Sequence, residues 1–206
     1  MLGTIKIILI AGIIILLNGC SKDNPVISSG TGIGILPLKI GNEWVSSVET
    51  KVYYNGDTVN IGFHSYDTSY TVIKLEMTID GIKWYSDSTS DLLMTNLADG
   101  LYFGSSSKGS FMKGIVFKYP CKAGDVFGSL LGTMTVAATN VSVTTIAGTF
   151  ECIQYRTIQQ TSYSTITTEY YLSPGIGIIK QTSDERDQNN VPSRRTNVEL
   201  YRYKLM

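Results

Sequence analysis

Hydrophobic and polar positions alternate in short runs along most of this chain, and turn signals separate the runs. Residues 44–54 end at Asn55-Gly56, and residues 70–79 end at Asp80-Gly81 with 82–86 resuming at once, which predicts a tight hairpin. Residues 92–97 and 101–104 flank Asp99-Gly100 in the same way, and further runs cover 114–119, 133–145, 150–160, 164–172, 177–182 and 197–205. Within residues 150–156, Phe150, Cys152 and Gln154 share one face while Glu151, Ile153 and Tyr155 share the other. Both faces carry apolar groups, so this strand is expected to be covered, at least in part, on both sides. Short strands at this spacing, with no helical patterns between them, predict an all-β fold. The expected form is an antiparallel meander curled into an open or half barrel, with a β-sandwich as the alternative that pattern alone leaves open.

The first residues break this pattern. Residues 1–6 carry one positive charge, and residues 7–17 are an unbroken apolar run, the size of a signal-peptide core and too short to span a bilayer. The run ends in Leu17-Asn18-Gly19-Cys20, which resembles the lipobox of bacterial lipoproteins. That resemblance implies cleavage between Gly19 and Cys20, loss of residues 1–19 as a signal peptide, and a Cys20 thiol that carries lipid and anchors the chain to a membrane. The alternative is an uncleaved anchor or a core helix with Cys20 as an incidental thiol. It requires the short apolar length, the charged start and the cysteine position to coincide by accident. Ser21 stands where an aspartate would imply inner-membrane retention, so the same resemblance implies the outer membrane of a cell that has one, on either its periplasmic or its surface face. Residues 20–35 are rich in Gly, Ser, Asn and Pro and read as the acylated residue with a flexible tether, leaving 36–206 as a single β domain.

Charge narrows the partners. Lys plus Arg and Asp plus Glu each total 17 in the 206 residues, so the chain has no basic footprint for nucleic acid and no general attraction to anionic lipid. The membrane is expected as a partner through the lipid anchor alone.

Candidate chemistry is sparse. With Cys20 lipidated, Cys121 and Cys152 remain, and an exported location permits a disulfide between them; two buried thiols are the other reading. His64 is the only histidine and sits beside a polar turn with no nucleophile-elbow glycines, which argues for a hydrogen-bonded strand-end residue over a catalytic base. Residues 184–190, with Asp87 and Asp91, concentrate oxygen ligands, yet the calcium-loop spacing with its central glycine and closing glutamate is missing. Residues 184–193 read more simply as a polar hairpin loop. No metal, no cofactor and no catalytic residue is therefore expected. The thirteen tyrosines include the pairs Tyr53-Tyr54 and Tyr170-Tyr171, and in a strand each pair points one ring to either face. Residues 37–44 and 120–127 share the scheme Pro-x-Lys-x-Gly-Asn/Asp-x-aromatic, which reads as one strand-leading turn used twice.

The segments 36–44 (LPLKIGNEW), 147–152 (AGTFEC) and 170–180 (YYLSPGIGIIK) resemble a recurring set, PLxxGNxW, AGTFxC and YYxPGxGxxK, of uncharacterised exported all-β bacterial proteins. The resemblance implies a shared scaffold similar to the half-barrels of lipoprotein carriers, and no catalytic assignment. The expected function is thus a non-enzymatic, membrane-anchored binding or envelope-structural domain. It would hold an apolar or lipid ligand, or alternatively serve as a surface adhesion or glycan-binding module.

Overall fold

The structure, a computed structural model, describes residues 34–54, 56–87, 92–107 and 110–206. The expected signal peptide (residues 1–19), Cys20, Asn55 and Asp91 lie outside the described residues. Twelve strands follow in chain order: β1 (Glu43–Tyr54), β2 (Asp57–Ile79), β3 (Ile82–Asp87), β4 (Leu93–Leu97), β5 (Gly100–Ser107), β6 (Ser110–Lys118), β7 (Val126–Ser129), β8 (Gly132–Thr145), β9 (Gly148–Gln160), β10 (Ser164–Ser173), β11 (Gly177–Asp187) and β12 (Pro192–Lys204). The described residues contain no helix.

All twelve strands belong to one antiparallel sheet in the order β6-β5-β4-β3-β2-β1-β12-β11-β10-β9-β8-β7. The chain is a meander whose first strand pairs with its last, and the sheet curls until its edges, β6 and β7, face each other. The result is a barrel with one unsealed seam, not two stacked sheets. Among the described residues, bonds that bridge the seam include the Leu130 amide donating to the Ile115 carbonyl at 2.9 Å and the Ser129 hydroxyl donating to the Val116 carbonyl at 2.9 Å. Long β2 makes the curl continuous, since residues up to Val72 pair with β1 and residues from Ile73 pair with β3.

The turns follow their residue chemistry. Asp80 and Gly81 both adopt positive φ, 51° and 76°, as a two-residue hairpin with the right-handed strand twist demands. The repeated Pro-x-Lys-x-Gly scheme gives the same turn twice: Asn42 N donates to Lys39 O and Asp125 N to Lys122 O, each at 3.1 Å, with Gly41 and Gly124 at φ 92° and 88°. Each turn delivers an aromatic ring, Trp44 or Phe127, to the interior.

Two strand assignments need correction. Residues 57–69 are strand although they precede the expected start at Tyr70, and Asp184–Asp187 extend β11 where a loop was expected. The physical reason is the same in both places: neighbouring strands supply the backbone ladder, and the side chains of residues 63–69 and 184–187 are exposed or half-buried, so their polarity carries little burial penalty.

Two buried clusters fill the molecule. The first gathers Ile35, Leu101, Val116, Phe117, Met134, Val136, Ile153, Tyr155 and Leu172, and the second Trp44, Ile73, Met94, Val143, Phe150, Cys152, Ile179 and Leu200. Phe150 and Cys152 lie in one cluster and Ile153 and Tyr155 in the other, so β9 is covered on both sides. Ile35, which composition assigns to the tether, has no exposed surface and is part of the core.

Candidate functional site

Three concavities stand out. The first lies inside the barrel: a cavity of about 290 Å³ bounded by residues of β1–β5 and β10–β12 together with Leu36 and Leu92. Its apolar wall comes from Leu36, Trp44, Ile73, Leu92, Met94, Leu101, Phe103, Leu172, Ile178 and Val198, and its polar wall from Ser46, Ser69, Thr71, Asp87 and Gln181. Strand alternation places these residues. Trp44 and Ser46 are two apart on β1, their partners Thr71 and Ser69 are two apart on β2, and the small side chains opposite the ring leave the space. Trp44 is held in place by its indole N–H, which donates to the Ile176 carbonyl at 2.7 Å.

A second cavity of about 600 Å³ sits at the mouth, bounded by the 34–42 segment, β3, β4 and the chain end at Leu205 and Met206. Leu36 borders both cavities. Asn96 fixes the segment that carries it, its amide donating to the Leu36 carbonyl at 2.7 Å.

The third is a shallow polar depression of about 370 Å³ on a face bounded by Thr167, Glu169, Thr182, Asp184, Arg195 and Asn197. Register explains it. Arg156, Glu169, Thr182, Asn197, Glu49 and Tyr66 form one row across six strands, and Ile158, Thr167, Asp184, Arg195, Lys51 and His64 form the next. Cross-strand charges pair along these rows, Arg156 with Glu169 at 2.6 Å and Arg195 with Asp184 at 3.4 Å, and in the adjacent row of the same face Lys180 with Glu199 at 2.6 Å. Glu49 is the hub. It accepts from Lys51 at 3.0 Å, from Tyr66 at 3.1 Å and from Asn197 at 3.2 Å, and lies 2.9 Å from His64 Nε2. The Lys51 ammonium, then the His64, Asn197 and Tyr66 contacts, outweigh partial desolvation and hold its carboxyl at about 2.

That value carries a pH signature. Glu49 titrates near 2 when folded against an ordinary 4.5, so its contribution is complete above about pH 4.5 and is lost as pH falls toward 2. Urea unfolding of the wild type and Glu49→Gln is expected to show a stability gap that is constant above pH 4.5 and narrows below it. A gap unchanged down to pH 2 would contradict the assignment.

The remaining sequence candidates are located as follows. Cys121 and Cys152 are both buried free thiols, and the fold puts them in different clusters: Cys121 Sγ lies 3.5 Å from the Tyr155 hydroxyl, and Cys152 Sγ lies 3.8 Å from the Phe150 carbonyl. Burial pushes the Cys152 thiol up to about 11 and raises that of Cys121 as well, so neither is poised as a nucleophile. His64 is exposed in the middle of β2 rather than at a strand end, with the Glu49 carboxylate 2.9 Å from its Nε2. In the 184–190 segment, Asp184 is taken by Arg186 at 2.8 Å and by Arg195, and Asp187 accepts the Asn189 and Val191 amides at 2.9 Å. These carboxylates cap a turn and bind guanidinium groups, and among the described residues no cluster fit to hold a metal ion occurs. Sequence reasoning missed the lumen residues Leu36, Ser46, Ser69 and Phe103. The signal that could have found them is Trp44-x-Ser46, a large and then a small side chain on one strand face.

A candidate lipoprotein from Parabacteroides distasonis ATCC 8503 has a solved structure that matches 84% of this chain and 100% of its own, with 14% identity and a TM-score of 0.50. The likeness is one of fold. A candidate exported protein with YmcC-like fold from Bacteroides fragilis NCTC 9343 matches 82% of this chain and 98% of its own, at 15% identity and a TM-score of 0.41. No protein-family profile and no curated protein matches the chain.

Proposed function

We propose that this protein is a lipoprotein of the bacterial cell envelope, anchored through Cys20 in the outer membrane, whose barrel is a non-catalytic binding domain for an apolar ligand. The observation that carries this reading is the lumen. A largely apolar concavity, open in part to solvent, with a few polar groups on its wall is a common form of a small-ligand site. Its volume, about 290 Å³, lies just below the range of roughly 300–1,000 Å³ found for such sites, which suits a single acyl chain better than a whole diacyl lipid. The neighbours named lipoprotein and exported protein agree with the compartment that the lipobox implies.

The glycan reading rests on Tyr66 and Tyr70, exposed on the same face of β2. It is the weaker one, because the Tyr66 hydroxyl already donates to Glu49 and its ring leans on His64 with centroids 4.5 Å apart.

Native mass spectrometry of the protein isolated from its host membranes tests both parts. The expected species starts at Cys20, carries added acyl mass and holds one further small apolar ligand. In Ser69→Phe, which projects a ring into the lumen, ligand occupancy is expected to fall by about tenfold, the change that 1.4 kcal/mol of lost contact produces. An unmodified Met1 start would refute the anchor, and an empty wild-type barrel would refute the ligand.

A further inference from the structure

The strands that bound the lumen carry an uncharged row of hydroxyl groups just beyond it. Val198 of β12 and Gln181 of β11 border the cavity and are partners in the ladder. Two residues further along the same face, about 7 Å at the usual strand rise, Thr196 and Ser183 are partners in turn. Register extends this row across six strands as Ser65, Thr50, Thr196, Ser183, Thr168 and Thr157, and every position in it is a hydroxyl side chain. The rows on the opposite face of the same strands mix Arg, Lys, Glu and Asp instead. On β1 and β2 the step from lumen to row is direct: Ser46 and Thr50, like Ser69 and Ser65, share one face with no bulge between them. Ser69 borders the cavity and is itself exposed, so the lumen opens to solvent on this side.

Threonine opposite threonine is ordinary cross-strand packing, but the bonds within this row leave much of its capacity unused. The Thr50 and Thr196 hydroxyls are 3.4 Å apart, those of Thr168 and Ser183 3.3 Å, and Thr157 Oγ1 lies 3.5 Å from the Leu131 carbonyl. Each hydroxyl has one proton to give and two lone pairs, and contacts this long are easily exchanged for shorter ones. Thr50, Ser65, Ser183 and Thr196 are half-buried, within reach of a ligand group and partly shielded from water. Neither the row nor the cavity wall holds a Lys or Arg, so an acidic headgroup finds no counter-charge there. Given the lumen reading above, on which this step rests, we infer that the barrel takes a single-chain amphiphile with an uncharged polyol headgroup. Its tail lies in the lumen and its hydroxyls bond to the row from Ser65 to Thr157. A monoacylglycerol and a single-chain glycoside are the two sources of that chemistry.

Competition read by native mass spectrometry decides the matter, using the protein isolated from its host and four probes with twelve-carbon chains: monolauroylglycerol, dodecyl glucoside, methyl laurate and laurate. At least one hydroxylated probe is expected to outcompete both methyl laurate and laurate by about tenfold or more, and which one does so identifies the source. In Thr50→Val/Thr196→Val, which keeps the side-chain shape and removes two hydroxyls, that preference should vanish while methyl laurate binding is unchanged. Thr50→Ser/Thr196→Ser retains the hydroxyls without the methyls; it should restore the preference and so separate hydrogen bonding from a folding defect. Thr182→Val, on the opposite face of β11, should leave the preference intact. Equal binding of all four probes to the wild type, a preference for laurate, or a hydroxyl preference that survives in the valine double variant overturns the headgroup assignment and leaves the lumen reading standing. If no probe binds at all, the lumen reading falls and the headgroup assignment with it.

Discussion

Replacing Tyr155 with alanine is expected to lower the unfolding free energy by about 3–5 kcal/mol, and with phenylalanine by about 1–3 kcal/mol. The ring has no exposed surface and meets Phe117 and Phe127 at centroid distances of 5.2 and 6.5 Å, so truncation opens a cavity that the stiff sheet around it cannot close. The hydroxyl does something separate. It donates to the Lys118 carbonyl at 2.7 Å, and Lys118 is the last residue of edge strand β6, while Tyr155 sits on β9 at the other flank of the seam. This bond therefore ties the two sides of the opening from within, where water cannot replace it, and burial drives the phenol pKa far up so that the donor proton stays in place. Urea unfolding measures the energies. Hydrogen exchange at Leu130, whose amide spans the seam to Ile115, tests the location: Tyr155→Phe should speed exchange there more than in the β11–β12 ladder. A uniform acceleration, or an alanine variant that loses less than about 1 kcal/mol, would mean that the residue is ordinary core.

The same residue shows how far the sequence could be read. Alternation in residues 150–156 placed Tyr155 opposite Phe150 and Cys152, and the structure has them in separate clusters. Turn chemistry likewise predicted Asp80-Gly81 and the paired Pro-x-Lys-x-Gly turns, because positive φ at a fixed offset is a local demand that local residues must meet. What stayed hidden was set by partners distant in the chain. Residues 57–69 and 184–187 are polar and become strand only because β1 and β12 offer them ladders, and Val126–Ser129 is too short to announce itself. The lumen was hidden for a related reason. Nothing in the sequence marks Ser46 and Ser69 as cavity positions, and their face borders a concavity only because the first strand pairs with the last. Pattern could propose a barrel but not its seam, since which edges stay unpaired depends on how far twelve strands curl.

Gly100→Ala is expected to cost about 2–3 kcal/mol, the upper range for overpacking a site that cannot yield. Gly100 opens β5 directly after the Ala98-Asp99 turn and pairs with Lys118 of β6. A Cβ there would stand 2.2 Å from the Phe117 carbonyl oxygen and 3.1 Å from Lys118 Cα, both backbone atoms, so no side-chain rotation can relieve the overlap. The strand as a whole must move. It is β6, the strand that forms one lip of the seam and carries the Ile115, Val116 and Lys118 carbonyls that hold the seam together, so the strain falls on the barrel's weakest joint. Two comparators separate the causes. Gly81→Ala meets no atom within 4 Å but keeps a φ of +76°, and should cost only the conformational share, about 1–2 kcal/mol. Gly128→Ala meets nothing and carries no such φ, and should fall within about 0.5 kcal/mol of the wild type. Denaturant midpoints for the three variants give the order directly. If Gly100→Ala proves no worse than Gly81→Ala, β6 is free to shift at little cost, and the lip it forms is then a moving part of the barrel and not a fixed wall.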